Sequence, residues 1–353
     1  MPGGVSGYAA INARVRVMYS TLLSSQAIHD LCETNDPESL MAALKHTYYG
    51  PYLEKVKDKS LGPRRAVFQM RIRLAEAYAS VANSAPQDAR ALLVQLYRHF
   101  EVANLKAILR GITAGASWDR IRFVLFPMTG SVLPAQAMVE SGNVTAAVEL
   151  LRGTSYYETL SFAMKRYSTE QSLFPLEVAL DLSYWRSVWS MMNRLSGEDK
   201  TQAKRIIGSL VDANNLMWAI RYRTYHHVSE EEMINYTLPF GYRVHDEDIR
   251  AIAAGADIAQ IINRVWPDFG EVSELLTNPE EGLTSIESEL QRRIATACKA
   301  AFLGDPFHIG LPIAFVLLNE MEIQDLTTVI EAKATHKSPS EFMSYLILSG
   351  GPA

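Results

Sequence analysis

One short motif occurs three times in the sequence at a nearly constant spacing. Its copies run from Glu101 to Arg110, from Asp212 to Arg221 and from Glu322 to Glu331. Each copy opens with an acidic residue, carries an amide or a second acid three positions later, and continues with a leucine. The opening acids are 111 and 110 positions apart. Recurrence at this period indicates an internal repeat, in which one structural module is used three times.

Each copy of the motif has the apolar pattern of a half-buried helix. Apolar residues at i, i+3 and i+4 form one stripe of an α-helix, which predicts a core-facing side. The stripes consist of Leu105, Ile108 and Leu109, of Leu216, Ala219 and Ile220, and of Leu326, Val329 and Ile330. The polar pairs, one turn apart, are predicted on a neighbouring polar face; they are Glu101/Asn104, Asp212/Asn215 and Glu322/Asp325. Two alternatives remain open. Either these residues are solvated and recur only because the module was duplicated, or they have the same function in each copy.

A second module repeats at the same period. Residues 26–49 resemble residues 136–157, and a weaker relative lies at residues 248–262. The first two copies end in paired tyrosines, Tyr48-Tyr49 and Tyr156-Tyr157, which the third copy lacks. We interpret the tyrosines as part of the core and not as a ligand-binding box.

The order of the two modules predicts how the chain closes. The first copy of the second module precedes every copy of the helical motif, and the last copy of the motif lies near the end of the sequence. We therefore expect one lobe to combine residues 305–353 with residues 1–55, beside lobes formed by residues 87–170 and 198–280. Long periodic stretches between the lobes, within 56–86, 171–197 and 281–304, predict bracing helices.

The predicted fold is all-α. No stretch alternates apolar and polar residues long enough to predict a sheet. With the threefold repeat, this predicts a three-lobed body of pseudo-threefold symmetry in which the two termini complete one lobe.

Composition excludes several functional classes. The chain has 34 basic and 39 acidic residues and a net charge of −5, so no basic excess indicates nucleic-acid binding. The two cysteines, Cys32 and Cys298, and the absence of an apolar leader predict a reduced, intracellular protein. The apolar run from Leu311 to Leu318 is far shorter than the roughly 20 residues of a membrane helix, so no direct membrane insertion is predicted.

Searches for catalytic motifs give no catalytic residue, cofactor or metal site. The sequence has no P-loop, no Gly-x-Ser-x-Gly elbow and no Cys-x-x-Cys pair. His226-His227 could be grouped with His245 and the acids at 230–232 as metal ligands, but adjacent histidines point to different sides of a helix. Arg110 and Arg221 occupy a repeat position that is Glu331 in the third copy. That difference argues against one site repeated three times.

Taken together, four stretches resemble the C subunit family of V/A-type ATPases of archaea and bacteria, which is related to the d subunit of the eukaryotic vacuolar ATPase. They are residues 8–16, residues 104–111, residues 212–221 and residues 322–333. The similarity covers essentially the whole chain and includes the period and the permuted third copy. The departures are a short extension before Tyr8 and the acidic residue at position 331.

This resemblance implies a three-lobed helical funnel that acts as a non-catalytic rotor part. Such a protein holds the central shaft, made of D- and F-type subunits, and rests on the cytoplasmic face of the membrane rotor ring. One copy per complex would transmit torque during ATP-coupled proton or sodium transport. The implied location is cytoplasmic, peripheral to the membrane through the ring.

The three polar pairs give the candidate partner interface. We expect Glu101, Asn104, Asp212, Asn215, Glu322 and Asp325 to line or border the funnel and contact the shaft or the ring. Two alternative functions remain open at this point: an all-helical adaptor unrelated to ATPases, and an enzyme with an unrecognised site near His226-His227.

Overall fold

The computed structural model describes residues 5–55, 62–226, 228–270, 272 and 279–349. Every regular element within these ranges is a helix and none is a strand, which confirms the predicted all-α class.

The first part of the chain forms four short or medium helices and one long one. They are α1 (Val5–Tyr19), α2 (Ser25–Cys32), α3 (Pro37–Lys45), α4 (Gly50–Leu53) and α5 (Pro63–Ser84).

The middle of the chain continues with seven helices. They are α6 (Gln87–Tyr97), α7 (His99–Thr113), α8 (Trp118–Ile121), α9 (Ala135–Glu140), α10 (Val144–Glu149), α11 (Ser155–Glu170) and α12 (Phe174–Arg194).

The last part contains the longest helices. They are α13 (Gly197–Arg221), α14 (Glu230–Asn235), α15 (Asp246–Ala253), α16 (Ile258–Val265), α17 (Pro279–Ala301), α18 (Gly310–Ala334) and α19 (Pro339–Phe342). A π-helical turn, Tyr222–His226, extends α13, and a 3₁₀ turn, Met343–Tyr345, follows α19.

Side chains that cap backbone N–H groups define where several helices begin. The Ser24 hydroxyl accepts a hydrogen bond from the Ala27 N–H at 3.1 Å, so α2 begins at Ser25. Asp36 accepts the N–H of Ser39 at 2.8 Å, and Pro37 provides a first helical residue that needs no N–H partner. Ser229 and Glu232 form a capping box at the start of α14.

The three motif copies lie on helices, as predicted. The second copy lies in α13 and the third in α18, each a continuous helix of 25 residues. The first copy lies in α7, which is separated from α6 by a break at Arg98. All nine residues of the predicted apolar stripes are buried.

Helix α18 is the most buried element of the fold. Its residues from Leu311 to Leu318 are all buried, so it has no solvent-facing side over this length. The long helices α5, α13 and α17 and the N-terminal helix α1 pack around it. Among described residues, no helix is both long and apolar enough to span a bilayer.

Both ends of the chain meet in one body. Helix α1 packs on α18, and the Ser25 hydroxyl donates a hydrogen bond to the carbonyl of Leu348 at 2.9 Å. The Asn12 amide donates to the carbonyl of His308 at 3.2 Å. These contacts join the segments that the repeat pattern assigns to one lobe. The division of the chain into three lobes and bracing helices stays a prediction.

Candidate functional site

The six residues of the candidate partner interface are buried. Glu322 is fully buried, Asp212, Asn215 and Asp325 are each 1% exposed, and even the most exposed of the six, Asn104, is only 8% exposed. The alternative that these polar pairs are solvated is therefore wrong. These side chains instead point inward: five of them bind the segment that follows their own motif helix, and Glu322 binds residues near the N-terminus of the chain. Their contact with a partner stays a prediction, and the isolated chain offers no exposed polar face there to support it.

The amide position of each polar pair binds the backbone of a downstream segment. Asn104 donates to the Phe126 carbonyl at 2.9 Å and accepts the Phe126 N–H at 2.7 Å, 22 residues away. Asn215 makes the same two bonds to Leu238, both at 2.9 Å. Asp325 instead accepts the N–H groups of Ile347 and Leu348, both at 2.8 Å.

Proline explains why two copies carry Asn and the third carries Asp. Phe126 and Leu238 are each followed by a proline, which has no N–H to donate. A side chain there must satisfy one N–H and one carbonyl; an amide offers both an acceptor and a donor, whereas an ionised carboxylate offers acceptors only. Ile347 is followed by Leu348, which does have an N–H. A carboxylate, which offers two acceptor oxygens, suits that pair.

In the first two pairs, the acidic side chain binds the same downstream segment as the amide, a few residues further along the chain. Glu101 accepts the Val132 N–H and the Ser131 hydroxyl, both at 2.7 Å. Asp212 accepts the N–H groups of Tyr242 and Arg243, both at 2.7 Å, and of Val244 at 3.2 Å. These bonds fix a connecting segment that has no helical hydrogen bonds of its own.

Glu322, the acid of the third pair, binds the opposite end of the chain. It accepts the Leu23 N–H and the Tyr48 hydroxyl, and it accepts the Tyr49 hydroxyl at 2.8 Å. The Tyr156 hydroxyl makes the corresponding bond to Glu101 at 2.7 Å. Tyr49 is fully buried, in agreement with the interpretation of these tyrosines as core. Three of the four paired tyrosines, Tyr48, Tyr49 and Tyr156, therefore donate to the repeated acid, a role that their recurrence alone did not reveal.

Burial changes the acidity of three of these carboxyl groups. Burial raises the pKa of Glu322 to about 7. The hydrogen bonds from Tyr48 and Tyr49 act in the opposite direction and lower this pKa, but by less. Burial likewise raises the pKa values of Asp212 and Asp325 to about 6, although backbone N–H donors stabilise their charged forms. In each carboxyl group, the rise in pKa caused by desolvation is larger than the lowering caused by its hydrogen-bond donors.

The arginines of the motif join each motif helix to the next long helix. Arg110 forms two bonds of 2.6 Å to Glu177 at the start of α12. Arg221 pairs with Glu287 on α17 at 2.7 Å. In the third copy the charges are exchanged, because the motif helix carries Glu331 and the long helix α5 carries Arg71. Burial lowers the pKa of Arg71, and the negative charge of Glu331 raises it. The substitution at position 331 therefore preserves an attraction of opposite charges.

A cavity of about 240 Å³ with several polar side chains in its lining lies where α5, α7, α12 and α18 meet. His99 Nε2 lies 3.4 Å from a carboxylate oxygen of Glu320, which also accepts the Tyr78 hydroxyl. Lys106 pairs with Asp181 at 2.7 Å on the same wall. Burial raises the pKa values of Glu320 and Asp181. No sequence pattern points to these residues, because they come from four separate helices and share no motif.

The grouping of His226-His227 with His245 as metal ligands falls partly outside the described structure. His226 ends the π-helical turn and His227 lies outside the described residues. Within the residues that are described, no group of three His, Cys, Asp or Glu side chains is arranged to hold a metal ion.

Comparison with known proteins finds similarity over nearly the whole chain. Residues 11–345 match a family model described as ATP synthase (C/AC39) subunit. The C subunit of the A-type ATP synthase of Methanocaldococcus jannaschii is 24% identical over 347 residues, which cover 96% of this chain and 86% of the relative. That of Methanobrevibacter smithii is 25% identical, with 96% and 88% covered. That of Pyrococcus furiosus is 21% identical, with 94% and 88% covered.

Proposed function

Because the chain belongs to the ATP synthase (C/AC39) subunit family, we propose that it joins the central shaft of a rotary ATP synthase to the membrane rotor ring. Family membership makes it a non-catalytic subunit of an A-type complex. The alternative of an all-helical adaptor unrelated to ATPases is therefore wrong. The finer role, torque transmission between shaft and ring during proton or sodium transport, is the proposal.

The observation that carries the proposal is the way α18 binds both ends of the chain. Glu322 and Asp325, one turn apart on α18, hold Leu23 on one side and Ile347 and Leu348 on the other. A protein that passes torque must resist shear between its segments. Long-range hydrogen bonds to a largely buried central helix provide that resistance, because sliding would leave buried donors and acceptors unpaired.

Close packing supports the same role. The long helices α5, α13 and α17 all contact α18, so a force applied to one of them is transmitted to a shared core. Protein interiors have low compressibility and transmit strain. In this proposal the chain contacts D- and F-type shaft subunits on one side and the ring on the other, at the cytoplasmic face of the membrane and in one copy per complex.

Removal of this chain from the complex tests the role. Complexes assembled without it should hydrolyse ATP in their catalytic head but should not couple hydrolysis to ion transport in sealed vesicles. Adding back the purified chain should restore coupling. Normal ATP-driven transport by a complex shown to lack the chain would overturn the proposal.

A further inference from the structure

The imidazole ring of His99, the first residue of α7, is held in one orientation. Its Nδ1 atom lies 2.9 Å from the carbonyl oxygen of Leu96. A carbonyl oxygen only accepts hydrogen bonds, so Nδ1 must carry a hydrogen to make this contact. The ring of Phe100 packs on the imidazole with a distance of 3.7 Å between ring centroids. The neutral form of His99 therefore has its hydrogen on Nδ1 and a bare lone pair on Nε2.

The Nε2 atom of this ring faces a carboxyl group on another helix. It lies 3.4 Å from Oε2 of Glu320 on α18, and Oε1 of Glu320 accepts the hydroxyl of Tyr78 on α5. A bare Nε2 and an ionised carboxylate are both acceptors, so they repel each other at this distance. One proton, carried by Nε2 or by the carboxyl group, turns the repulsion into an attraction. The geometry thus requires one proton more than a neutral histidine and an ionised glutamate hold together.

The charges around the cavity of about 240 Å³ lead to the same proton count. Lys106 on α7 and Asp181 on α12, 2.7 Å apart, cancel each other. Glu320 is the other acid among the described residues that line this cavity. The lining is therefore neutral only when Glu320 and His99 together hold the extra proton. A net charge would be poorly solvated there, because much of the remaining lining is apolar, including Leu96, Val102 and Leu317.

The other titratable groups around Glu320 do not change charge near neutral pH. Burial raises the pKa of each of them above its ordinary value, so all four are uncharged; they are Tyr78 on α5, Tyr97 on α6, Tyr184 on α12 and Cys298 on α17. Helix α13 contributes Leu210 to the lining, and its Arg205, which acts on Cys298, stays charged throughout. The exchangeable proton therefore belongs to the pair of His99 and Glu320.

We infer that His99 and Glu320 share one proton at neutral pH and that this proton clamps α7 to α18, so that the junction around the cavity opens more readily when the proton is lost. With the proton in place the two side chains attract each other across the junction. Without it, two acceptors face each other, and opening relieves their repulsion because water can then solvate the carboxylate. The inference concerns the isolated chain and does not depend on the proposed function.

The direction of the pH dependence follows from proton linkage. In the open junction the histidine is solvated and loses its proton near the ordinary histidine pKa of about 6.5. Above this pH the closed junction holds one proton more than the open one, so the stabilisation by the proton is lost as pH rises. The equilibrium constant for opening should therefore increase with pH by up to about tenfold per pH unit, until the closed pair itself loses the proton.

Amide hydrogen exchange of the full chain, corrected for the intrinsic effect of pH on exchange, measures this opening. Between about pH 6.5 and about pH 8.5 the protection of α7 amides should fall by at least about tenfold. Protection of α11, which does not line the cavity, should stay constant and is the internal control.

Two variants assign the effect to the pair. Glu320→Gln removes the carboxylate, so a neutral His99 no longer faces a negative charge. His99→Gln places an amide in the position of Nε2, which donates to the carboxylate at every pH. Either change should make the protection of α7 independent of pH over this range. The matched control is His29→Gln, at an exposed histidine on α2, which should keep the wild-type pH profile.

Three results would overturn the inference. A flat profile for α7 in the wild-type chain means that no shared proton holds the junction, and this result needs no variant to fold. A wild-type profile that persists in Glu320→Gln and His99→Gln means that another group is responsible. An equal loss of protection in α7 and α11 means that the whole chain unfolds and that the junction is not the element that responds.

Discussion

The backbone N–H of Leu23 donates a hydrogen bond to the carboxylate of Glu322, 299 residues later in the chain. The corresponding bond in the first repeat joins the Val132 N–H to Glu101, only 31 residues apart. The two contacts occupy equivalent places in the repeat, although one is local and the other connects the two ends of the sequence. This is the pair of contacts expected if the third repeat is a circular permutation of the first.

The first prediction concerns the pH dependence that Glu322 gives to stability. Burial raises its pKa from 4.5 to about 7, so between these values the unfolded chain loses the proton first. The free energy of unfolding contributed by this group therefore falls as pH rises from about 4.5 to 7, by about 3 kcal/mol at most. Glu322→Gln should remove this decline. Urea unfolding at pH 5 and pH 7.5 measures it.

The matched control for Glu322 is Glu341→Gln. Glu341 is exposed, and its pKa is lowered by hydrogen bonds from Ser338, so it titrates below pH 5 in both states. Its substitution should leave the difference in stability between pH 5 and pH 7.5 unchanged. If Glu322→Gln had the same pH profile as wild type, the buried carboxyl would not be the source of the dependence.

The second prediction is an exchange of acid and amide between repeats. Asn215→Asp leaves the Leu238 carbonyl without a donor, and Asp325→Asn leaves one of two N–H groups, those of Ile347 and Leu348, without an acceptor. Each change should lower the free energy of unfolding by about 1–3 kcal/mol, the cost of an unsatisfied buried polar group. Thermal or urea unfolding measures it. Asn193→Asp, at an exposed site on α12, is the control and should change stability by less than about 0.5 kcal/mol. Unchanged stability for both variants would disprove the proline argument.

The repeat pattern predicted the helices and the equivalence of positions, but not the direction of the polar pairs. An acid and an amide one turn apart have the same spacing whether they face water or a buried backbone, so helical periodicity alone could not separate the two cases. A usable signal was present: Pro127 and Pro239 follow the two asparagines at 23 and 24 positions. An extended segment with proline lacks regular backbone partners, and a nearby buried amide can supply them.

The cavity where α5, α7, α12 and α18 meet could not be predicted from the sequence for another reason. His99, Glu320 and Tyr78 meet only after three helices pack, and no repeat relates them.

The third prediction concerns Gly241, which lies against the second polar pair. A Cβ atom at this position would lie 2.3 Å from Asp212 Oδ1 and 2.4 Å from the Val244 carbonyl oxygen. Gly241→Ala should therefore displace the segment that Asp212 holds and lower the free energy of unfolding by about 1–3 kcal/mol. Gly62→Ala is the control, because its Cβ would meet no atom within 4 Å. Equal unfolding temperatures for the two variants would mean that the segment shifts without cost.

The fourth prediction concerns the two thiols. Cys32 and Cys298 are both fully buried, and burial raises their pKa values to about 11 and about 12. At pH 8 their thiolate fractions are at most about one in a thousand, and the thiolate is the nucleophile. The native protein should therefore show no fast-reacting thiol towards a disulfide reagent, and both thiols should react at once in concentrated guanidinium. Ser161→Cys, on the exposed side of α11, should add one fast-reacting thiol and serves as the positive control. Rapid labelling of the native wild-type chain would show that the core around α2 or α17 opens on the timescale of the reaction, contrary to the rigidity that the proposed torque transmission requires.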